Sequence, residues 1–259
     1  MSTASGKPYL ESPSPLAIAH RGFSREGLEN TIPAFQAALE LGYSYVETDI
    51  HTTADGVTVV FHDASLDRVT DQAGVISKLP YSVVAKARIG GMQPIPTLRE
   101  LFEGLPTARF NIDVKDAGSA APLAALIEEL GLHERVCVAS FSGARRRQVF
   151  SRLTRPVAAS PGQGLLAAYT FLGSWLPAPL VRLLMRRVDV LQIPRRFGPL
   201  TLVTRRSVAR AHRLGLKMHV WTIDDPAEMH ELFELGVDGI MTDRADVLAA
   251  VMRERGYWA

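Results

Sequence analysis

The sequence predicts a single α/β domain, a (β/α)8 TIM barrel with a small insertion after an early strand. Three observations carry that expectation. Short β-rich runs alternate with longer helical runs, the pattern of parallel strands joined by crossover helices. Acidic, histidine and basic side chains fall directly after the short runs, where a parallel sheet gathers them on one rim. The length of 259 residues suits eight strand–helix units in one domain.

The elements follow in order. Residues 1–15 are rich in Ser, Pro and Thr, with no apolar stretch behind basic residues. They read as a mobile tail rather than a secretory signal, and the protein as cytoplasmic; the barrel domain is expected over 16–255. Strands are expected near 16–20, 43–50, 57–62, 109–115, 135–141, 156–159, 188–193, 217–222 and 237–242. Between the first two, Ile32, Phe35, Ala38 and Leu39 share one face of a helix over 31–41, with Asn30 placed to cap it. The extra strand 57–62 extends an early connection and leads into 63–93, a polar, glycine-containing stretch read as an inserted subdomain above the rim. Pro94-Ile95-Pro96-Thr97-Leu98 then starts the next helix. Leu123, Leu126, Ile127 and Leu130 mark another over 121–130, and later helices are expected at 204–214, 226–235 and 244–255. Punctuation agrees: Asp225-Pro226 puts Pro at a first helical position, and Gly42, Gly131, Gly215 and Gly236 follow helix ends.

Composition narrows the partners. With 47% hydrophobic and 22% charged residues the chain is an ordinary globular protein, and a net charge of +2 gives no argument for nucleic acid. Arginines cluster at Arg145, Arg146, Arg147, Arg152 and Arg155, and again at Arg182, Arg186, Arg187, Arg195 and Arg196. They are either solvated helix faces or a surface for anionic lipid or substrate. The segment 165–184 is apolar but interrupted by Pro177, Pro179 and Arg182, so it reads as a broken amphipathic stretch rather than a span. Together with the arginines after it, 165–187 is a candidate peripheral membrane contact. The single cysteine, Cys137, excludes an internal disulfide and reads as a small core residue.

The chemistry sits at the strand ends. Glu47 and Asp49 lie two apart on one strand and therefore point to the same side. Like carboxylates facing inward repel unless a cation lies between them, and a hard divalent ion with oxygen ligands resolves the conflict. Asp113 and Lys115 repeat that spacing; Asp113 is a candidate third ligand and Lys115 a candidate phosphate contact, the plain alternative being a buried Asp–Lys pair. His20 and His62 are candidates for proton transfer. Arg21 can clamp phosphate through its planar fork, and Glu29 is a candidate metal ligand or substrate contact. Trp221 is a candidate apolar wall or a core aromatic, with Phe141 and Phe23 weaker candidates of the same kind.

In order along the chain, His20-Arg21-Gly22, Glu29-Asn30-Thr31, Glu47-Thr48-Asp49, His62-Asp63, Leu66-Asp67-Arg68, Ile95-Pro96-Thr97-Leu98, Asn111-Ile112-Asp113-Val114-Lys115, Val220-Trp221-Thr222 and Asp238-Gly239-Ile240-Met241-Thr242-Asp243 resemble the signature of the glycerophosphodiester phosphodiesterases. The likeness spans about residues 16–248. It implies a (β/α)8 barrel with an inserted subdomain, and one divalent ion, Mg2+ first and Ca2+ second, held by Glu47, Asp49 and Asp113. Many members of that family carry Glu where Asp113 stands; the shorter side chain reaches about 1.5 Å less.

The implied reaction is hydrolysis of a glycerophosphodiester to sn-glycerol 3-phosphate and an alcohol. His20 is expected to take the nucleophile's proton and His62 to supply the leaving alcohol. Direct attack by water and attack by the glycerol 2-hydroxyl through a cyclic phosphate both remain open. Two other readings stand beside this one. One is a lysophospholipase D acting on lysophospholipids at a membrane surface; the other is a non-catalytic phosphodiester-binding barrel.

Overall fold

The computed structural model describes residues 7–24, 27–173 and 175–258. Its strands are β1 (Leu16–His20), β2 (Tyr45–Thr52), β3 (Thr58–Val60), β4 (Arg88–Ile89), β5 (Gln93–Pro94), β6 (Arg109–Val114), β7 (Val136–Ala139), β8 (Ala158–Ala159), β9 (Val190–Pro194), β10 (Arg196–Phe197), β11 (Leu200–Thr201), β12 (Lys217–Trp221) and β13 (Gly239–Thr242). Eight of them run parallel in the order β8-β7-β6-β2-β1-β13-β12-β9. The end strands β8 and β9 meet through Asp189: its amide donates to the Ala159 carbonyl at 2.9 Å, and its Oδ2 accepts from the Ala159 amide at 3.0 Å. The result is the expected (β/α)8 barrel, nearly closed.

The helices are α1 (Ile32–Glu40), α2 (Tyr81–Val84), α3 (Leu98–Gly104), α4 (Ala120–Glu129), α5 (Gly143–Phe150), α6 (Gln163–Leu172), α7 (Ala178–Met185), α8 (Arg205–Arg213), α9 (Pro226–Leu235) and α10 (Ala245–Glu254). Their apolar stripes pack on the outward strand residues. Phe35, Leu98, Leu123, Val208, Leu232 and Leu248 join Val46, Phe110, Ile112, Val138 and Ile240 in one core. The inward residues form a second cluster of Leu16, Ile18, Tyr45, Cys137, Ala158, Val190 and Met241. Every residue of β2 is buried because the strand lies between these two cores. Cys137 is buried in the inner one, as its setting in an apolar run implies.

Most strands are a residue or more shorter at an end than the sequence reading, and two differences have a structural cause. Strand β2 begins at Tyr45 rather than 43 and runs on to Thr52, because antiparallel β3 pairs with its last three residues. The N-terminal stretch is not wholly a tail. Residues 1–6 lie outside the described residues, but Pro8–Leu10 makes a 3-10 turn with Tyr9 and Leu10 buried in the barrel interior. The Tyr9 ring stands edge-on to Tyr45 at 5.2 Å, and the Tyr45 hydroxyl donates to the Tyr9 carbonyl at 2.9 Å. Two apolar side chains in a Ser- and Pro-rich context are enough to stop the barrel's lower end, and composition alone hides them.

The stretch 63–93 carries its own small core, in which Leu66, Ile76, Val84, Ala87 and Ile89 pack on Val59, Phe61 and Ile95. The apolar segment 165–184 is two helices, α6 and α7, separated by the turn before Pro177. Among the described residues no helix is long and apolar enough to cross a membrane.

Truncating Tyr9 to Ala removes a fully buried aromatic ring, and urea unfolding should show a loss of about 3 kcal/mol. An unchanged midpoint would mean that this segment does not hold the barrel's lower end.

Candidate active site

Strand register decides which side chains share a level. His20 of β1 stands opposite Glu47 of β2, and Glu47 opposite Asn111 of β6; one pleat higher, Asp49 stands opposite Asp113. Gln192 of β9 and His219 of β12 are paired likewise. Side chains two apart on one strand share a face, so these residues stack in inward layers. Above the apolar interior, Asn111 and Gln192 make a polar floor in which the Gln192 amide donates to Asn111 Oδ1 at 2.8 Å.

Over that floor opens a cavity of about 220 Å³. His20, Arg21, Glu47, Asp49, His62, Asp113, Lys115 and Trp221 all line it. Glu29, the remaining candidate, is not among the lining residues. Arg21 Nη1 donates to its Oε1 at 3.0 Å, and Arg68 grips both its oxygens at 2.6 and 3.1 Å. Phe23 also lies elsewhere, buried in the outer core.

The acids are deeply buried and differently held. Asp49 is 2% exposed; its Oδ1 faces Lys115 Nζ at 2.9 Å, and its Oδ2 faces Arg21 Nε at 3.3 Å and accepts from Asn30 Nδ2 at 3.4 Å. Asp113 Oδ2 accepts from Lys115 at 2.7 Å, whereas its Oδ1 is buried without a donor. Glu47 accepts the Arg21 amide at 3.3 Å and lies 3.7 Å from His20 Nε2. Burial first, and the Asp49 charge next, push the Glu47 carboxyl well above the ordinary carboxylate range. Burial likewise raises Asp113, with Lys115 opposing and Asp49 adding to the rise. For Lys115 burial favours the neutral amine, but Asp49 and Asp113 overcome it and hold the ammonium charged. Lys115 and Asp113 thus form the buried pair that was the plain alternative, placed on the cavity wall. Among the described residues no three acidic, histidine or cysteine side chains already surround one point as a finished metal cage.

The histidines share a design that strand-end placement alone does not reveal. His20 Nδ1 lies 2.6 Å from Asp243 Oδ1, and His62 Nδ1 lies 2.6 Å from Asp63 Oδ1. A carboxylate can only accept, so each Nδ1 carries the hydrogen and each Nε2 is left to exchange a proton. Burial lowers the proton affinity of His20, but Glu47 and the Asp243 bond outweigh it and raise the balance. His62 is also held from below: the His51 ring meets the His62 carbonyl through Nε2 at 3.1 Å and Asp116 Oδ2 through Nδ1 at 3.2 Å.

The loop after β1 is shaped to place Arg21. Arg21 and Asn30 adopt left-handed conformations with φ of 56° and 60°. Gly22 follows at φ 84°, where a Cβ would stand 2.7 Å from the Ala34 carbonyl carbon. Asn30 does not cap α1. Thr31 does, its Oγ1 accepting from the Ala34 amide at 3.3 Å, while Asn30 accepts from Thr48 Oγ1 at 2.7 Å and turns its amide to Asp49. The sequence alone assigns no role to Asp63, Arg68, Asn111, Gln192 or Asp243. For Asn111 the signal was present, since it sits two residues before Asp113 on the same strand.

Trp221 is half-buried, both lining the cavity and packing on the inner cluster. Its ring meets that of Phe141 edge-on at 6.4 Å, and the two make one apolar side. Cations and carboxylate-held imidazoles facing an apolar wall at this end of a (β/α)8 barrel define an enzyme that works on an anionic ester.

Comparison with known proteins makes that class specific. The sequence profile of the glycerophosphoryl diester phosphodiesterase family matches residues 20–247. The chain is 41% identical over 257 residues to a probable glycerophosphodiester phosphodiesterase 2 of Mycobacterium tuberculosis, covering 96% of this chain and 95% of that one. It is 27% identical over 266 residues to a lysophospholipase D of Mus musculus, covering 87% and 82%. A glycerophosphodiester phosphodiesterase structure from Agrobacterium tumefaciens matches with a TM-score of 0.75 at 26% identity, over 92% of this chain and 99% of that one. The chain belongs to the glycerophosphoryl diester phosphodiesterase family.

Asp116 supplies a pH test of the support beneath His62. Burial opposes its charge, but His51, the Thr52 amide and Ser119 together lower its carboxyl to about 2. A depressed carboxyl stabilises the fold above its unfolded value and loses that contribution as pH falls through its folded one. Asp116→Asn should therefore cost about 1 kcal/mol at pH 7, after allowance for partial exposure, and little near about pH 1. Denaturant unfolding at the two pH values checks this; an equal loss at both would remove the charge from the argument.

Proposed function

We propose that the chain hydrolyses glycerophosphodiesters to sn-glycerol 3-phosphate and an alcohol, using one divalent cation and two histidines. The observation that carries this reading is the pair of imidazoles, each bound through Nδ1 to a carboxylate, in one cavity with three buried acids and two cations. A binding module has no need of two so oriented proton carriers, which favours catalysis over the non-catalytic reading.

The donor set suits a hard ion, Mg2+ first and Ca2+ second, with Glu47, Asp49 and Asp113 as its holders. Two features support that assignment: the donorless buried Oδ1 of Asp113, and the crowding that makes Glu47 resist ionisation. When bound, such an ion offsets charge on phosphoryl oxygens and acidifies a hydroxyl or water beside it. The chain's own groups do the rest. Arg21 and Lys115 attract and orient the phosphodiester. His20, fixed by Asp243, removes the nucleophile's proton at Nε2; His62, fixed by Asp63, delivers one to the leaving alcohol oxygen. Glu29 acts by holding Arg21 in place rather than by meeting substrate.

A second reading has a specific observation behind it. The Phe141–Trp221 side runs outward to solvent, Phe141 being 52% exposed, and gives an acyl chain on the glycerol an apolar path. A lysophospholipid is then the substrate.

His20→Ala and His62→Ala should each lower turnover of glycerophosphocholine by about 10²–10⁴. A variant with near-normal turnover would exclude that histidine as a proton carrier. Asp49→Asn should raise the Mg2+ concentration needed for half-maximal activity; an unchanged requirement would sink the ligand assignment. A screen of glycerophosphocholine, glycerophosphoethanolamine, glycerophosphoinositol and a lysophospholipid with each ion separates the substrate readings, and silence in every combination would restore the binding-module reading.

A further inference from the structure

Beside the cavity, from the rim down the barrel's outer side, lies an exposed apolar surface that catalysis does not use. Phe171 and Leu172 end α6, Trp175 stands in the turn after it, Leu180 opens the first turns of α7, and Phe197 and Leu200 form the β10–β11 hairpin; all are exposed, Trp175 to 86%. The rings of Phe171 and Phe197 meet at 6.4 Å, so helix and hairpin make one surface. Its place follows from topology. The hairpin continues directly from the C-terminal end of β9, and α6 begins at the cavity, where Gln163 and Leu166 form part of the wall.

Charge is distributed as unevenly as apolar area. Residues 160–213 contain nine arginines, no lysine and one acid, Asp189, while the rest of the chain has twenty basic and twenty-six acidic residues. Asp189 is engaged at the barrel seam. Arg195 pairs with Glu228 and Glu231, and Arg210 stacks on Tyr169. Among the described residues no acid lies within ion-pair distance of Arg196, Arg205 or Arg206. Arg205, Arg206, Arg210 and Arg213 line a groove of about 790 Å³ whose other walls include Phe171 and Leu200.

We propose that this face docks on an anionic lipid surface, with the apolar side chains entering the headgroup–acyl boundary and the groove arginines meeting lipid phosphates. Interleaved aromatic and cationic groups suit a membrane interface, where one solvent serves the rings and the other the charges. A groove in which Arg205 and Arg206 have no acid within ion-pair distance, set beside the apolar tips, fits an anionic bilayer, where Trp175 meets an apolar phase and the arginines meet phosphates. Docking turns the rim toward the membrane and presents the cavity to glycerophosphodiesters borne by lipid, the lysophospholipids. That last step rests on the phosphodiesterase reading; the docking itself does not.

The test is co-sedimentation of the full chain with vesicles of phosphatidylglycerol and phosphatidylcholine, and with pure phosphatidylcholine. The chain should sediment with the mixed vesicles at low salt and be released by high salt. Phe171→Ala with Trp175→Ala, and separately Arg205→Gln with Arg206→Gln, should each lower the affinity about 10-fold while leaving turnover of soluble glycerophosphocholine unchanged. No sedimentation with the mixed vesicles, or wild-type binding by both double variants, would overturn the proposal. So would a dimer in gel filtration that Trp175→Ala dissolves, since a second copy would then own the surface. Failure of the phosphodiesterase reading would register separately, as absent turnover of soluble glycerophosphocholine by the unmodified chain.

Discussion

The site depends on one buried charge, the carboxylate of Asp49. Three side chains converge on it: Lys115 from the end of β6, Arg21 from the loop after β1, and Asn30 from the start of α1. Each comes from a different part of the chain, so this one carboxylate ties three segments together. Removing a partner would leave a charge stranded in a low-dielectric interior, which commonly costs about 3–5 kcal/mol. The left-handed turns at Arg21 and Asn30 persist because these contacts hold them.

From Asp49 the order spreads outward through alternating charges. Arg21 passes from Asp49 to Glu29, Glu29 to Arg68, and Arg68 to Asp63, which holds His62. Arg68 and Asp63 belong to the inserted stretch, so this ladder adds an electrostatic tie to the apolar packing that joins the insertion to the barrel. It also explains why an apparently peripheral pair, Glu29 and Arg68, bears on the setting of His62. His20 is reached by a shorter path, through Asp243 at the end of β13, the strand that flanks β1. The two imidazoles are therefore oriented by different carboxylates, Asp243 after β13 and Asp63 in the insertion.

The fold was legible because parallel strands and crossover helices each leave a period in the sequence, and glycines and prolines mark their ends. Glu47, Asp49 and Asp113 were legible for a local reason: a spacing of two on a strand fixes the side on which they lie. What escaped was non-local. Nothing near Asp63 or Asp243 says which histidine each will meet, and Asn30 looks like a helix cap until Asp49 and Thr48 are seen beside it. Glu29 is a candidate from its place at the start of the first helix, and only the structure shows both its oxygens taken up by Arg21 and Arg68. Tyr9 was lost in a polar stretch because burial of a single ring leaves no periodic trace.

That ring has a further consequence. With Tyr9 and Leu10 stoppering the lower end and apolar layers filling the middle, the barrel is a blind vessel rather than a tunnel. Among the described residues a molecule resting against Glu47 meets one opening, and whatever lies across that mouth governs arrival and departure alike.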